Sequence, residues 1–126
     1  MQTAVDSSVL VAAINSKDSQ HKQGFAKLRA AEKPIVVPEY VVAETCAVLV
    51  QKASKHLADE FVREMGSNLD FRLLFSTPEL FIASAQQFLS VREKLSFVDC
   101  ALLALSGEYE ILTFDKGLNN AIRAQD

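Results

Sequence analysis

Short apolar runs alternate along the chain with longer segments that have helical periodicity. The clearest run is Ile35–Val37, which Pro34 and Pro38 restrict to the length of one short strand. Parallel strands need crossover connections, which are usually helical, so this alternation predicts an α/β fold with a mostly parallel sheet. The predicted strands are Thr3–Val5, Ile35–Val37, Phe71–Leu74 and Ile111–Phe114.

Helix start and stop signals lie between these runs. Pro38 and Pro78 suit the start of a helix, Thr77 is a capping residue, and Gly66 is expected to end a helix. The predicted helices are Ser7–Ile14, Ser19–Ala31, Glu39–Lys52, Lys55–Met65, Thr77–Leu89, Ser96–Ser106 and Gly117–Arg123.

Length and composition point to one domain spanning residues 1–126, since the chain has no linker or repeat and 49% of its residues are hydrophobic. Cys46 and Cys100 lack metal-ligand or redox spacing, which favours free thiols in a reducing compartment. No signal peptide is expected, and no apolar segment reaches the roughly 18 residues of a membrane span. We therefore expect a cytoplasmic protein without membrane contact.

Single acidic residues interrupt the most apolar segments. Asp6 is the only charged residue between Met1 and Asn15, and Glu44 is the only one between Tyr40 and Val50. Asp99 is likewise alone between Leu95 and Gly107, and Asp115 ends the apolar run Ile111–Phe114. Ionised carboxylates are almost never fully buried without compensation, so these four positions need an explanation.

A divalent cation would supply that compensation. Asp6 and Asp115 directly follow predicted strands, and sites in open parallel sheets form where the strands end. Asp99 falls in the first turn of its helix and Glu44 in the second turn of another. Carboxylate oxygens suit Mg²⁺ or Mn²⁺, so the pattern predicts an acidic metal site.

Each acid also has a local structural interpretation. Ser96 and Asp99 have the spacing of a capping box, and Asp6 and Asp115 are suited to cap the helices that follow them. Glu44 is too far inside its helix to cap it, and a partly exposed position facing solvent is its alternative. Both interpretations remain open at the level of the sequence.

Four sequence elements together resemble the PIN-domain ribonucleases, and most closely the VapC-type toxins of toxin–antitoxin pairs. The elements are AVDSSVLVAAI with Asp6, PEYVVAETCAVL with Glu44, Ser96–Asp99, and Thr113-Phe114-Asp115. The resemblance covers nearly the whole chain. It implies a three-layer α/β/α fold around a central parallel sheet of four or five strands.

The resemblance also implies Mg²⁺- or Mn²⁺-dependent hydrolysis of RNA. By the same resemblance, Asp6, Glu44, Asp99 and Asp115 form the catalytic and metal-binding quartet, and Ser7 and Thr113 are supporting hydroxyl residues beside it. A homodimer is implied, together with a cognate antitoxin whose tail covers the acidic groove and contacts the helical pair Glu39–Met65. Many members of the family continue into a final strand, whereas this chain stops at Asp126.

Two other functions remain compatible with isolated acids in an α/β chain. A catalytically inactive PIN-like module would bind RNA or protein without cleaving it. A response-regulator receiver would also place an acid at a strand end and bind Mg²⁺. However, a receiver requires paired acids near the first strand, whereas Asp6 stands alone, and a receiver has no role for Glu44.

Overall fold

The fold is an alternating α/β arrangement, seen here in a computed structural model that describes residues 1–125. Its strands are β1 (Thr3–Val5), β2 (Ile35–Pro38), β3 (Phe71–Leu74) and β4 (Glu110–Leu112). Its helices are α1 (Ser7–Ile14), α2 (His21–Ala30), α3 (Glu39–Lys52), α4 (Lys55–Ser67), α5 (Pro78–Ser90), α6 (Phe97–Leu105) and α7 (Lys116–Ala124).

One parallel sheet organises the molecule, with the strand order β3-β2-β1-β4. The register pairs Ala4 of β1 with Val36 on one side and with Ile111 on the other. Every residue of β1 and β2 is buried, which means that helices cover both faces of the sheet. The predicted three-layer α/β/α architecture is confirmed, and residues 1–125 contain four strands, with none after α7.

Helices α1 and α2 pack against each other unusually closely at Gly24, the buried glycine of α2. A Cβ atom at this position would lie only 2.9 Å from the Cβ of Ala12 and 2.9 Å from the peptide nitrogen of Ala13. The absent side chain therefore allows the two helix backbones to approach, and it fixes how α2 lies along α1.

Several predicted element boundaries were wrong by one or two residues, and two of these differences have a clear physical reason. Gly66 does not end a helix, because α4 continues to Ser67 and is capped at Asn68, whose peptide nitrogen donates to the carbonyl of Glu64 at 2.8 Å. The last strand ends at Leu112 rather than Phe114, so Thr113 lies beyond it in the turn toward α7. None of the described helices is long and apolar enough to span a membrane.

Candidate functional site

The four predicted acids lie where strands end and helices begin. Asp6 directly follows β1, and Asp115 follows β4 after a short turn. Asp99 lies in the first turn of α6, and Glu44 lies in the second turn of α3. Asp6 is buried with 3% exposure, Glu44 and Asp99 are half-buried, and Asp115 is exposed.

The buried carboxylate of Asp6 is held by three hydrogen bonds. Its Oδ1 accepts from the peptide nitrogen of Ser7 at 2.8 Å, which caps α1. Its Oδ2 accepts from the hydroxyl of Ser8 at 3.0 Å and from the hydroxyl of Thr113 at 2.7 Å. These donors satisfy much of the hydrogen-bonding capacity of a carboxylate that burial would otherwise penalise.

Ser7 connects the second acid to the first. Its hydroxyl donates to Oε1 of Glu44, while its peptide nitrogen donates to Asp6. One serine at the start of α1 therefore positions a side chain of α3 relative to the end of β1. The solvent-facing alternative for Glu44 is not what the structure shows, since the side chain is half-buried and points at Ser7.

Ser8 is a part of the site that the sequence analysis missed. In addition to donating to Asp6, its hydroxyl accepts from the peptide nitrogen of Phe114 at 3.0 Å. It thus ties the start of α1 to the turn before Asp115. The available sequence signal was a second hydroxyl residue two positions after the acid, in Asp6-Ser7-Ser8.

The capping interpretation holds for Asp99 and Asp115 as well as for Asp6. Asp99 and Ser96 form a complete capping box, with both peptide-to-side-chain distances at 3.0 Å. Oδ1 of Asp115 accepts from the peptide nitrogen of Leu118 at 2.9 Å and caps α7. These bonds aim each carboxylate in a fixed direction, so capping and participation in a site are compatible.

The four carboxylates nevertheless influence one another electrostatically. Burial is the main reason that the pKa of Glu44 is raised, the hydrogen bond from Ser7 opposes this, and the charges of Asp6, Asp99 and Asp115 raise it further. Burial also raises the pKa of Asp99, against the hydrogen bonds from Ser96, with added repulsion from Asp6 and Asp115. Among the described residues, no basic side chain offsets either shift.

The donor set fits a hard divalent cation. Glu44 accepts a hydrogen bond at Oε1, Asp99 at Oδ2 and Asp115 at Oδ1. Within residues 1–125, the other carboxylate oxygen of each of these acids accepts no hydrogen bond. No three acidic, histidine or cysteine side chains of residues 1–125 are grouped closely enough to surround one ion by themselves. Mg²⁺ is usually held by one or two carboxylates and several waters, so this arrangement suits it.

The cysteines take no part in the hydrogen bonds of this site. Cys46 is half-buried and Cys100 is buried, and both are free thiols, as predicted. Burial raises the pKa of both thiols, which keeps them in the unreactive protonated form at neutral pH.

Comparison with known proteins gives two findings. A family model described as "PIN domain" matches residues 3–123. Among solved structures, VapC20 of Mycobacterium tuberculosis, described as a sarcin-ricin loop cleaving toxin, superimposes with a TM-score of 0.87 at 20% identity and covers 95% of each chain. At this identity the likeness shows the shared fold. No curated protein matches the chain significantly in sequence.

Proposed function

Because the chain belongs to the PIN domain family, we propose that it is a divalent-metal-dependent endoribonuclease that hydrolyses RNA phosphodiester bonds. One observation carries the proposal: Asp6, Asp99 and Asp115 all raise the pKa of Glu44 at the edge of the sheet, and within residues 1–125 no basic side chain offsets this shift or that of Asp99. A cation would convert this mutual repulsion into binding energy. The same acids would repel an RNA phosphate if no cation were present.

Each acid has a role that its geometry suits. Asp6 and Asp99 would hold the ion directly, because their hydrogen bonds fix their orientation at the sheet edge. A bound Mg²⁺ or Mn²⁺ would supply positive charge to the phosphate and lower the pKa of a water. Glu44 has a raised pKa and an oxygen, Oε2, that is free of Ser7, which suits it to take the proton of the attacking water.

Asp115 completes the arrangement from the turn before α7. It is exposed, and its fixed Oδ1 leaves Oδ2 available to orient a water of the ion. Attack of water on the phosphorus atom then breaks the bond to the 3′ oxygen. The products would carry a 5′-phosphate and a 3′-hydroxyl; the leaving 3′ oxygen would take its proton from solvent, to which Glu44 would release the proton taken from the attacking water.

We extend the proposal to the toxin of a cytoplasmic toxin–antitoxin pair, as VapC20 is a toxin. An apolar groove of about 240 Å³ supports a protein partner, since side chains of α1, α2 and α4 line it, including Leu10, Leu28 and Phe61. Helix α5 supports a homodimer, because it carries one charged residue, Glu79, and several exposed apolar side chains.

RNA cleavage by the purified protein, free of any partner, tests the proposal. The substrates are a mixed single-stranded RNA pool and a sarcin–ricin loop hairpin, each incubated with Mg²⁺, Mn²⁺ or chelator. We expect metal-dependent cleavage by the wild type, with 5′-phosphate ends on the fragments. Asp6→Asn should abolish cleavage, whereas Asp70→Asn, which changes an exposed acid outside the site, should leave it intact.

Two results would overturn the proposal. Metal-independent cleavage that survives Asp6→Asn would place the activity elsewhere or in a contaminant. Metal-dependent binding of RNA without cleavage of any pool would instead identify an inactive binding module. The receiver alternative is disfavoured because the PIN domain model matches residues 3–123 and because a receiver has no use for Glu44, which Ser7 links to Asp6.

A further inference from the structure

Four aromatic rings from three helices meet at Phe97, the first residue of α6. The ring centroid of Phe97 lies 5.7 Å from that of Tyr40 in α3. Phe81 and Phe88 of α5 approach the same ring, with centroid distances of 5.7 Å and 5.9 Å. We call these four residues the aromatic cluster. Phe97 is its central member, because each of the other three rings pairs with it.

Burial in the main hydrophobic core does not account for the aromatic cluster. The core of residues 1–125 includes none of its four members. Phe81 and Phe88 are 53% and 46% exposed, and Tyr40 and Phe97 are half-buried. Tyr40 and Phe97 meet edge to face, at an angle of 76° between the ring planes, which is a favourable geometry for two rings. The cluster is therefore a separate contact between helices.

The pair formed by Tyr40 and Phe97 joins the two helices that carry Glu44 and Asp99. Tyr40 lies in the first turn of α3, and Glu44 follows four residues later, so both lie on the same side of that helix. Asp99 follows Phe97 by two residues and lies in the same turn of α6. The contact between the rings thus lies within about one helical turn of each acid and fixes the separation of the two helix starts.

The ring of Phe97 and the carboxylate of Asp99 leave the first turn of α6 in different directions. Side chains two residues apart on a helix point about 200° away from each other. Ser96 and Asp99 close a capping box around Phe97, with both bonds at 3.0 Å. A first turn depends on such contacts, because its peptide N–H groups have no partners within the helix. Loss of the ring would let this turn move, and the Asp99 carboxylate would move with it.

We propose that Phe97 is a positioning residue that holds Asp99 at the spacing from Glu44 that a divalent cation requires, an inference that rests on the proposed ribonuclease function. The charge of Asp99 raises the pKa of Glu44, so the two carboxylates repel each other without an ion. The contact between Phe97 and Tyr40 opposes that repulsion. Metal ligands must be held within about 0.5 Å of their productive geometry, so a small shift of α6 is enough to weaken the site.

Binding of Mn²⁺ tests this role without requiring cleavage. Electron paramagnetic resonance measures the free ion as it is titrated into the full chain. We expect Phe97→Leu to weaken Mn²⁺ affinity about tenfold, as changes in residues that orient metal ligands do. The matched control is Phe61→Leu, the same change at a core ring of α4 that is 2% exposed. This control should lower the melting temperature but leave Mn²⁺ affinity unchanged.

Changes at Tyr40 show whether the two rings act as one unit. Tyr40→Phe keeps the ring and should bind Mn²⁺ like the wild type, whereas Tyr40→Leu should weaken binding about as much as Phe97→Leu. The double leucine variant should be little worse than either single variant, because changes at residues in contact are not additive. In cleavage assays, Phe97→Leu should lower kcat with little effect on KM for RNA, since a positioning residue does not touch the substrate.

The outcomes distinguish this inference from the proposed function. Unchanged Mn²⁺ affinity in Phe97→Leu, with metal-dependent cleavage intact, would overturn the inference and leave the function standing. Mn²⁺ affinity that depends on Phe97 in a protein that cleaves no RNA would support the inference and reject the function. A wild type that binds no Mn²⁺ would overturn both.

Two further results would give Phe97 a different role and overturn the inference. Equal weakening of Mn²⁺ binding by Phe97→Leu and Phe61→Leu would show that the ring only stabilises the fold. A loss of affinity that appears only where the variant has become monomeric would assign Phe97 to an interface between two copies. Light scattering on each variant, at the protein concentration of the titration, separates the second result from a direct effect on the site.

Discussion

The hydroxyl of Thr113 donates a 2.7 Å hydrogen bond to Oδ2 of Asp6, although 107 positions of the chain separate the two residues. Both side chains are buried, at 7% and 3% exposure. Thr113 follows β4 and Asp6 follows β1, and these strands are neighbours in the sheet. The bond therefore joins the ends of two adjacent strands and orients a proposed metal ligand at the same time.

Thr113→Val should destabilise the fold and impair cleavage together. Valine keeps the shape of threonine but removes the donor to Asp6 and the acceptor of the Asp115 peptide nitrogen, which lies 3.0 Å from the hydroxyl. We expect a loss of about 1–3 kcal/mol in the free energy of unfolding, measured by denaturant titration. Thr113→Ser retains the hydroxyl and should keep most of both properties. A valine variant as stable and active as the wild type would contradict this role.

The sequence predicted those contacts of the site that join residues close together in the chain. The caps at Asp99 and Asp115 could be predicted because each depends on residues within three positions. Ser8 was missed because its partners, Thr113 and Phe114, are about a hundred residues away. The same contact explains the short last strand: the peptide nitrogen of Phe114 donates to Ser8 instead of to a neighbouring strand.

The wrong prediction at Gly66 has a different physical basis. A glycine favours a helix end only where the chain needs a conformation that other residues avoid, and none of the described glycines has a positive φ. Gly66 is exposed, with open space around its Cα, and the helix passes through it. The true end is set by Asn68, whose side-chain nitrogen donates to Oε2 of Glu64 at 2.8 Å.

The raised pKa values of Glu44 and Asp99 predict how stability depends on pH in chelator. A carboxyl whose pKa is higher in the folded than in the unfolded state stabilises the fold at pH values below its unfolded pKa. This contribution is lost as the pH rises from about 4 through the raised values. The contribution of these two groups to the melting temperature should therefore decrease as the pH rises across that window.

Added Mg²⁺ or Mn²⁺ should restore the melting temperature at neutral pH and have little effect at acidic pH, where the carboxyls are protonated. Differential scanning fluorimetry across pH, with and without metal, measures both effects. Glu44→Gln should weaken the pH dependence in chelator, because it removes one of the two perturbed groups. A metal response that is equal at every pH would show that the ion binds elsewhere.

Asp99→Asn should separate capping from metal binding. Asparagine can still accept the hydrogen bond that Asp99 takes from the peptide nitrogen of Ser96, and it removes repulsion with Asp6 and Asp115. We expect an unchanged or higher melting temperature in chelator, but loss of cleavage and of metal-induced stabilisation. Asp99→Ala breaks the capping box and should also lower stability in chelator by about 1 kcal/mol. Full cleavage by Asp99→Asn would remove Asp99 from the proposed ligands.

Gly24→Ala should destabilise the packing of α2 on α1. The new methyl group would lie 2.9 Å from backbone and Cβ atoms of α1, so the helices must move apart. Overpacking of this kind costs about 1–3 kcal/mol, which denaturant unfolding can measure, and it outweighs the higher helix propensity of alanine. Gly107→Ala is the control, since nothing lies within 4 Å of its added Cβ. Equal stability of the two variants would mean that α2 can shift without cost.

The exposed face of α5 predicts where two copies pair. Ile82 and Leu89 lie seven residues apart, hence on one side of the helix, with 56% and 85% exposure. An apolar patch without charge can pair with itself across a two-fold axis, as a symmetric dimer requires.

Leu89→Lys should therefore place two positive charges near each other at the interface and convert a dimer to a monomer in size-exclusion chromatography with light scattering. Leu69→Lys is the matched control, because Leu69 is 93% exposed but lies between α4 and β3, away from α5. A wild-type monomer at micromolar concentration, or a dimer that tolerates Leu89→Lys, would exclude this face as the interface.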